Sequence, residues 1–482
     1  MAVKKGDEYI ASLKDLHLEA NIMGEKVKDL PEHPLVAPSV RAVAATFDCA
    51  FEPEGRKLMR TESSLSGEEI NRFTHLHQSR EDLINKVLMQ RYCGNATACC
   101  FQRCVGMDAA NAVFSVTYEC DQEHGTDYHQ RFREYWTNVQ LDDLVVDGAM
   151  TDPKGDRGKR PGELKDPDLY LRVVERRKDG VIVRGAKLHQ TGMLNSHELI
   201  VMPTMAMRKG EEDWAICFAL PTNTKGISYI YGRQSADTRK LEDPRFDMGN
   251  LRFGGQEVMT VFEDVFVPNE RIFLDGEVDQ SGKLVERFAA YHRQSYGGCK
   301  VGVGDVLIGA TALIARMNGV ENATHVKDKL VEMIHLNETL FSAGIACSAL
   351  GHQTPAGNYE IDMLLANVCK LNVTRFPYEI ARLATDIAGG LLGTMPSAKE
   401  LDDPVTGAHI KKYLAAAEGY EVIDRMRVLR FIENIVVGAG AVAYLIESVH
   451  GAGPPAAQRI MIGRQGDIEG KVKLAKRLIG IS

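Results

Sequence analysis

Residues 148–163, GAMTDPKGDRGKRPGE, separate two parts of the chain that differ in hydrophobic periodicity. The segment is rich in Gly, Pro, Asp and Lys, a composition typical of loops. Before it, apolar residues recur at three- and four-residue spacing, which predicts helices. After it come short alternating runs, among them residues 180–188, GVIVRGAKL, and residues 258–268, VMTVFEDVFVP. These runs predict strands separated by turns, the pattern of a small barrel or sandwich.

The part before the loop is predicted to be mostly helical. Residues 13–30, LKDLHLEANIMGEKVKDL, and residues 68–92, EEINRFTHLHQSREDLINKVLMQRY, both show helical spacing. The pair Gly94-Asn95 interrupts the pattern, and a further helix is expected over residues 97–122.

Helical periodicity returns from about residue 282 and extends over long stretches, which indicates a helical bundle. Pro454 and Pro455 can open a last helix. We therefore expect an α+β multi-domain fold in the order helix, strand, helix. Its parts are an N-terminal α-helical domain at 1–146, a middle β-barrel domain at 147–278 and a C-terminal α-helical bundle at 279–482.

Composition excludes several classes of protein. The 482 residues carry a net charge of −8 and a pI of about 6.0, which disfavours nucleic acid as a partner. The sequence contains no uninterrupted apolar run of about 20 residues, so no membrane span is predicted. No signal peptide is recognised at the start. Ten cysteines are too sparse for a disulfide scaffold in a chain of this length. We expect a cytoplasmic location.

A cysteine cluster, ACCFQRC, occupies residues 98–104. On a helix Cys100 and Cys104, four residues apart, would lie on one face, with Cys99 pointing elsewhere. Two thiolates on one face can share a metal centre but do not complete it. A buried structural pair is the alternative interpretation.

A second cluster, YHRQSYGGCK, occupies residues 291–300. His292, Tyr296, Cys299 and Lys300 share one helical face, a combination better explained by a site than by a core. A regular helix separates His292 from Cys299 by about 10 Å along its axis, so Gly297-Gly298 either break the helix or form a close helix–helix contact. With Cys100 and Cys104 these residues suit zinc or an iron–sulfur cluster.

Other candidate residues lie outside these two clusters. A loop with Thr151, Lys154, Asp156 and Arg157 can hold a cofactor or be an ordinary charged turn; no GxGxxG or GxxxxGK motif is present. Glu447 lies in an apolar helical stretch, where a carboxylate serves either a salt bridge or catalysis.

Several motifs resemble the family of 4-hydroxybutyryl-CoA dehydratases, also described as vinylacetyl-CoA isomerases, over essentially the whole chain. Flavin-dependent aromatic monooxygenases of the 4-hydroxyphenylacetate type share runs like TDPKGDR and HQTG but lack the cluster ligands. The motifs are TACCFQRCVGMDA, GAMTDPKGDRG, HQTGMLNSHE, FGGQE, ERFAAYHRQSYGGCKVGVGD, RFPYEIARLATDIAGGL, RMRVLRFIEN, ESVHGAG and AQRIMIGRQG.

The resemblance implies the acyl-CoA dehydrogenase fold, a homotetramer, FAD held partly across subunits and one [4Fe–4S] cluster per subunit. The implied cluster ligands are Cys100, Cys104, His292 and Cys299. The implied flavin contacts are Met150, Thr151, Lys154, Asp156, Arg157, His189, Gln190, Thr191, Ala388, Gly389 and Gly390, with Thr191 near flavin N5. The implied catalytic residues are Glu257, His292, Tyr296, Lys300 and Glu447.

The reaction implied by the resemblance is dehydration of 4-hydroxybutyryl-CoA to crotonyl-CoA, together with isomerisation of vinylacetyl-CoA. The C3 proton is not activated and hydroxide leaves poorly, so transient one-electron oxidation by the flavin and Lewis-acid help from a cluster iron are expected. The enzyme is expected to be oxygen-sensitive. Alternatives are an aromatic monooxygenase or acyl-CoA dehydrogenase on the same scaffold, and a metal-stabilised binding protein without turnover.

Overall fold

The computed structural model describes residues 3–234, 242–247 and 252–481. Helices dominate the first part of the chain, and short strands pair between them as two hairpins. The helices are α1 (Gly6–Lys14), α2 (Ala37–Cys49), α3 (Pro53–Met59), α4 (Arg80–Thr97), α5 (Cys104–His124) and α6 (Tyr128–Leu141). The strands are β1 (Ala20–Ile22), β2 (Glu25–Val27), β3 (Arg60–Glu62) and β4 (Glu69–Asn71).

Two of the helices predicted in this part are wrong in whole or in part. Within residues 13–30, only Leu13 and Lys14 are α-helical, as the end of α1, and residues 20–27 form the hairpin β1–β2, which turns at Met23 and Gly24, both with positive φ. The left-handed region suits glycine and ends a helix, so the turn prevails over the apolar spacing. Residues 68–92 become helical only from Arg80, where the Ser79 side chain accepts a hydrogen bond from the Asp82 amide and caps α4.

The middle of the chain confirms the strand prediction. Its strands are β5 (Val146–Ala149), β6 (Arg172–Arg176), β7 (Gly180–Thr191), β8 (Glu198–Val201), β9 (Ile216–Pro221), β10 (Ile227–Tyr231), β11 (Glu257–Pro268) and β12 (Ile272–Asp275). Together with β1 and β2 from the first part of the chain, they form two sheets. One is six-stranded, in the order β2-β1-β10-β11-β7-β6, and the other is four-stranded, in the order β12-β9-β8-β5.

The closed β-barrel expected here is not observed. No pairing among the described strands joins the edges of the six-stranded sheet to those of the four-stranded sheet. Side chains of both sheets instead share one hydrophobic core, in which Phe218 of β9 meets Phe262 of β11 edge to face at 6.3 Å. The arrangement is a pair of sheets with helices at both ends, within a multi-domain α+β fold.

Long helices make up the last part of the chain, as predicted. They are α7 (Val278–Met317), α8 (Thr324–Ala349), α9 (Met363–Val373), α10 (Phe376–Ala388), α11 (Leu391–Thr394), α12 (Thr406–Tyr413), α13 (Val422–Val436), a π-helical turn at Val442–Ile446, α14 (Glu447–His450), α15 (Pro455–Gln465) and α16 (Ile468–Ile479). The small hairpin β13 (His352–Gln353) and β14 (Tyr359–Glu360) follows α8.

Helix α7 has 40 residues and runs about 60 Å through the centre of the bundle. It is long and apolar enough to cross a membrane, but 56% of its most apolar window is buried inside the fold, as in the core helix of a folded domain. It continues without a break through Gly297 and Gly298. A Cβ at Gly297 would lie 2.7 Å from the Gly344 Cα of α8, and one at Gly298 would lie 2.5 Å from the Val87 carbonyl of α4. Both glycines therefore serve close helix–helix contact.

Candidate functional site

Three cysteine thiols border one cavity between α5, α7 and the π-helical turn. Cys100, Cys104 and Cys299 all line it, together with Lys300. Burial raises the pKa of each thiol, that of Cys299 to about 11, so an unbound thiol there is protonated. A metal would displace these protons. Cys99 also borders the cavity, so position alone does not separate it from the other three.

The helix predicted over residues 97–122 is confirmed from Cys104 onward and wrong before it. Helix α4 continues through Gly94-Asn95 to Thr97, and α5 begins only at Cys104. Between them the chain turns with positive φ at Ala98 and Gln102. Cys100 therefore lies in a loop and reaches the cavity by a turn of the backbone. The two thiols converge as predicted, for a different structural reason.

His292 belongs to a buried charge cluster beside the thiols. Ligating atoms of His292, Cys104 and Asp108 all lie within 4.8 Å of one another. The Nδ1 of His292 is 2.8 Å from Asp108 Oδ2. Lys86 donates to Asp108 Oδ1 at 2.5 Å, and neither of these two side chains has solvent exposure.

A second charge cluster joins Lys300 to two carboxyl groups. Lys300 donates to Glu447 Oε2 at 2.7 Å. Burial raises the pKa of Glu257 well above its usual range, and the neighbouring Glu447, which is hydrogen-bonded to it, raises it further. Thr191 donates to the Glu257 carboxyl group at 2.7 Å. The Lys300 ammonium therefore contacts Glu447, and Glu257, next to Glu447, keeps its proton.

Tyr296 lies between these two clusters. The centre of its ring is 5.2 Å from that of the His292 ring and 5.0 Å from the Lys300 ammonium. The Lys370 ammonium also lies over this ring, 4.6 Å from its centre. Burial, then Glu447, raises the pKa of Tyr296 well above its usual range, so the phenol keeps its proton. A Cβ at Gly451 would lie 1.8 Å from the phenol oxygen, which explains a glycine there.

The loop predicted to hold the flavin is tied to β7. The Leu188 amide donates to the Thr151 carbonyl at 2.7 Å, and Lys187 donates to the Met150 carbonyl at 3.0 Å. Lys187 also forms an ion pair with Asp152 at 2.9 Å, and both side chains are almost completely buried. The loop is thus held in one conformation by a buried contact that the sequence interpretation missed.

Basic side chains gather beside this loop. Burial lowers the pKa of His189, and so do Lys154, His450 and Arg157. His189 has a φ of 60° at a bulge, where β7 has one residue more than β11. Such a basic group, with an ordered backbone around it, fits a pyrophosphate.

The remaining flavin candidates behave differently. Asp156 is exposed and accepts a hydrogen bond from the Gly158 amide, as in an ordinary turn. Gln190 is buried and donates to the Leu188 carbonyl. Ala388 ends α10 on the helical bundle, and the exposed Gly389 and Gly390 face open space within this chain. The structure therefore brings the loop and β7 together, but not the 388–390 segment.

Four residues in or around the site were missed from the sequence: Lys86, Asp108, Lys370 and Gly451. Lys86 and Asp108 stand in ordinary helical runs, and a lysine or an aspartate there predicts a solvated face. Lys370 is buried beside Lys300 and Arg293, and burial and these cations lower its pKa to about 7. The local signals were the position of Asp108 in the motif TACCFQRCVGMDA and GAG at 451–453 in the motif that contains Glu447.

Comparison with known proteins places the chain in a family. Sequence models of 4-hydroxyphenylacetate 3-hydroxylase match it with their N-terminal part at residues 5–274 and their C-terminal part at 281–480. The chain is 59% identical, over 98% of its length and 99% of the other, to 4-hydroxybutyryl-CoA dehydratase/vinylacetyl-CoA-Δ-isomerase of Clostridium aminobutyricum. It is 26% identical to a 4-hydroxyphenylacetate 3-monooxygenase oxygenase component of Thermus thermophilus, over 92% of this chain and 91% of that one.

Solved structures agree with this assignment. An oxygen-tolerant archaeal 4-hydroxybutyryl-CoA dehydratase from N. maritimus superposes with a TM-score of 0.97 at 53% identity, over 100% of this chain and 95% of that chain. The oxygenase component of a 4-hydroxyphenylacetate 3-monooxygenase, solved with FAD, shares the fold with a TM-score of 0.85 at 22% identity, over 99% and 98% of the two chains. The chain belongs to the 4-hydroxyphenylacetate 3-hydroxylase family and, within it, to the group of 4-hydroxybutyryl-CoA dehydratase/vinylacetyl-CoA-Δ-isomerase.

Proposed function

We propose that this protein dehydrates 4-hydroxybutyryl-CoA to crotonyl-CoA and isomerises vinylacetyl-CoA to crotonyl-CoA, as a lyase with isomerase activity. The observation that carries the proposal is that three thiols and Lys300 line one cavity, with His292 beside Cys104 and Glu447 against Lys300. The 59% identity to the dehydratase supports it over the monooxygenase alternative, whose relative is 26% identical.

The cofactors of the proposal are FAD and one [4Fe–4S] cluster. The donor set suits the cluster, because Cys100, Cys104 and Cys299 offer sulfur to one cavity and His292 offers a nitrogen beside Cys104. The proposed FAD contacts are those implied by the resemblance, with the 388–390 segment serving a neighbouring subunit of a homotetramer. When bound, the flavin supplies one-electron chemistry and the cluster supplies a Lewis acid for the C4 hydroxyl group.

The chain's own residues hold and move protons. His292 is the proposed base: its ring nitrogen can take a proton from the thioester substrate when that nitrogen is not held by the cluster, and imidazole dissociates more readily than thiolate. Tyr296 and Glu257 are both protonated and can donate, while Glu447, held by Lys300, can accept. Lys300 and Glu447 are the proposed groups for the departing hydroxide, because they line or adjoin the thiol cavity. A cytoplasmic location and oxygen sensitivity complete the proposal.

The test is anaerobic purification followed by quantitation of iron, acid-labile sulfide and flavin, and then an assay with 4-hydroxybutyryl-CoA. We expect stoichiometric FAD, iron and sulfide, crotonyl-CoA as product, and activity that decays in air while FAD stays bound. A protein that contains FAD but no iron would point to the monooxygenase alternative. A protein that contains metal but no flavin and turns nothing over would point to a binding protein.

A further inference from the structure

The cluster of Lys86, Asp108 and His292 uses three helices to hold one imidazole. Asp108 is on α5, Lys86 is on α4 and His292 is on α7. Asp108 Oδ2 contacts His292 Nδ1 at 2.8 Å and accepts from the Ser295 hydroxyl at 2.9 Å. Asp108 Oδ1 accepts from Lys86 at 2.5 Å. The carboxylate is therefore fixed by three contacts and cannot turn without breaking at least one of them.

Lys86 balances the charge of this carboxylate. Its ammonium also donates to the Tyr291 carbonyl at 3.0 Å and to Gln294 Oε1 at 2.9 Å. Lys86 and Asp108 are both without solvent exposure. One buried cation therefore meets one buried anion, and no net charge is left for His292 to neutralise.

A neutral imidazole carries one N–H group and one lone pair. Since Nδ1 faces a carboxylate, which only accepts hydrogen bonds, Nδ1 must be the nitrogen that carries the proton. The lone pair then lies on Nε2, on the opposite side of the ring. A histidine that ligates a metal commonly donates its other N–H to a carboxylate in this way, which fixes its orientation.

We infer that Asp108, fixed by Lys86 and Ser295, is a positioning residue that commits His292 to bind the cluster through Nε2. The inference rests on the proposed function, because it assigns a role toward the proposed [4Fe–4S] cluster. It adds two residues, Asp108 and Lys86, that neither the motifs nor the family comparison assigned. Asp108 acts through His292 and does not itself touch the substrate.

The first test uses the unmodified holoenzyme. Protein is prepared anaerobically with histidine labelled with ¹⁵N at Nε2 only or at Nδ1 only, and the reduced cluster is studied by electron–nuclear double resonance. We expect strong coupling from Nε2 and weak coupling from Nδ1. Strong coupling from Nδ1 would overturn the inference, because that nitrogen would then bind iron instead of Asp108.

The second test removes the carboxylate. Asp108→Asn should keep the cysteine-bound part of the cluster, weaken the Nε2 coupling and lower both dehydration and isomerisation by about 10- to 100-fold. The control Glu360→Gln neutralises a buried carboxyl group that pairs with Arg287 and not with His292, and should keep the Nε2 coupling and both rates close to those of wild type. The double variant Lys86→Met/Asp108→Asn restores charge balance if Asp108→Asn alone folds poorly.

The outcomes separate the two proposals. Unchanged Nε2 coupling and unchanged rates in Asp108→Asn, or in the double variant, would overturn the role of Asp108 and leave the proposed function intact. Absence of iron and sulfide from the wild-type protein would overturn the proposed function before any variant is compared. Loss of coupling with normal FAD content supports the inference, because a merely structural defect would not act on one nitrogen of one histidine.

Discussion

The two charge clusters beside the thiol cavity differ in whether they contain a protonated carboxyl group. Around His292, the Lys86 ammonium meets the Asp108 carboxylate, and both side chains are without exposure. Around Glu447, the Lys300 ammonium contacts the Glu447 carboxyl group, which retains 16% exposure. Glu257, whose pKa is raised well above its usual range by burial and by Glu447, adds a protonated carboxyl group beside Glu447.

This difference indicates that the two clusters, to which α7 contributes His292 and Lys300, have different roles: one positions a ligand and the other transfers protons. A balanced, sealed ion pair suits the positioning of a ligand, because its geometry is costly to change. A protonated carboxyl group hydrogen-bonded to a second carboxyl group suits proton transfer, because one group can donate and the other can accept. The first cluster lies beside Cys104, and Lys300 of the second lines the thiol cavity. We call the first (Lys86, Asp108 and His292) the rigid wall of the cavity and the second (Lys300, Glu447 and Glu257) its proton-exchanging wall.

The largest effect is expected from removing a thiol of the cavity beside which the two charge clusters lie, because these thiols are the proposed ligands of the [4Fe–4S] cluster. Cys104→Ala should lose most of the iron and most of the activity, as should Cys100→Ala and Cys299→Ala, because the cluster loses a thiolate ligand. Cys99→Ala is the matched control, since Cys99 borders the same cavity and should leave iron in place. Full iron content in Cys104→Ala, measured after anaerobic purification, would show that this cavity is not the cluster site.

The next prediction tests the proton-exchanging wall. Glu447→Gln should lower dehydration by about 10²- to 10⁴-fold, the usual contribution of a general acid or base. Isomerisation, which needs no hydroxide departure, should be affected less. Its fold-decrease in rate should be smaller than that of dehydration by a factor of at least about 10. Substitutions of His292 should damage both reactions. The measurement is the ratio of the two rates at verified iron and FAD content. Equal suppression of both by Glu447→Gln would mean that Glu447 acts in a shared proton step.

A third prediction tests the rigid wall through stability. Lys86→Met should lower the free energy of unfolding by about 3–5 kcal/mol, because it leaves Asp108 as an uncompensated buried charge. Lys283→Met is the matched control: Lys283 pairs with Glu123 at a partly exposed site and should cost about 1 kcal/mol or less. Chemical denaturation of both variants measures the difference. A loss at Lys86 no larger than that at Lys283 would contradict a sealed ion pair.

The smallest effect is a pH dependence that belongs to the second cluster alone. The pKa of Glu257 is raised in the folded protein, so wild type should lose stability relative to Glu257→Gln as pH rises above about 4.3, its usual unfolded value. The loss should continue until the pH passes the raised folded-state pKa. Urea titrations at several pH values measure this difference, and parallel curves for the two proteins would show that Glu257 is not protonated in the folded state.

Local pattern predicted much of the fold. The alternation in residues 180–188 and 258–268 appears as β7 and β11, and the long helical periodicity appears as α7 and α8. Prediction failed where a turn, or pairing with a strand far away in the chain, determines the local structure. Residues 13–30 have helical spacing, yet β1 pairs with β10, about 200 residues away in the chain, and the turn at Gly24 brings β2 against the other edge of β1.

The motifs already named the chemical groups of the site: the thiols, His292, Tyr296, Lys300 and the two glutamates. Which of these groups contact one another, and through which atoms, follows from the fold and not from the motifs. Cys100 reaches the cavity from a loop, Glu257 lies against Glu447, and Asp108 and Lys86, to which no motif gave a role, hold His292. The reason is physical. Residue type fixes what a side chain can donate or accept, whereas burial and partners brought from other helices and strands decide which protonation state and which nitrogen it presents.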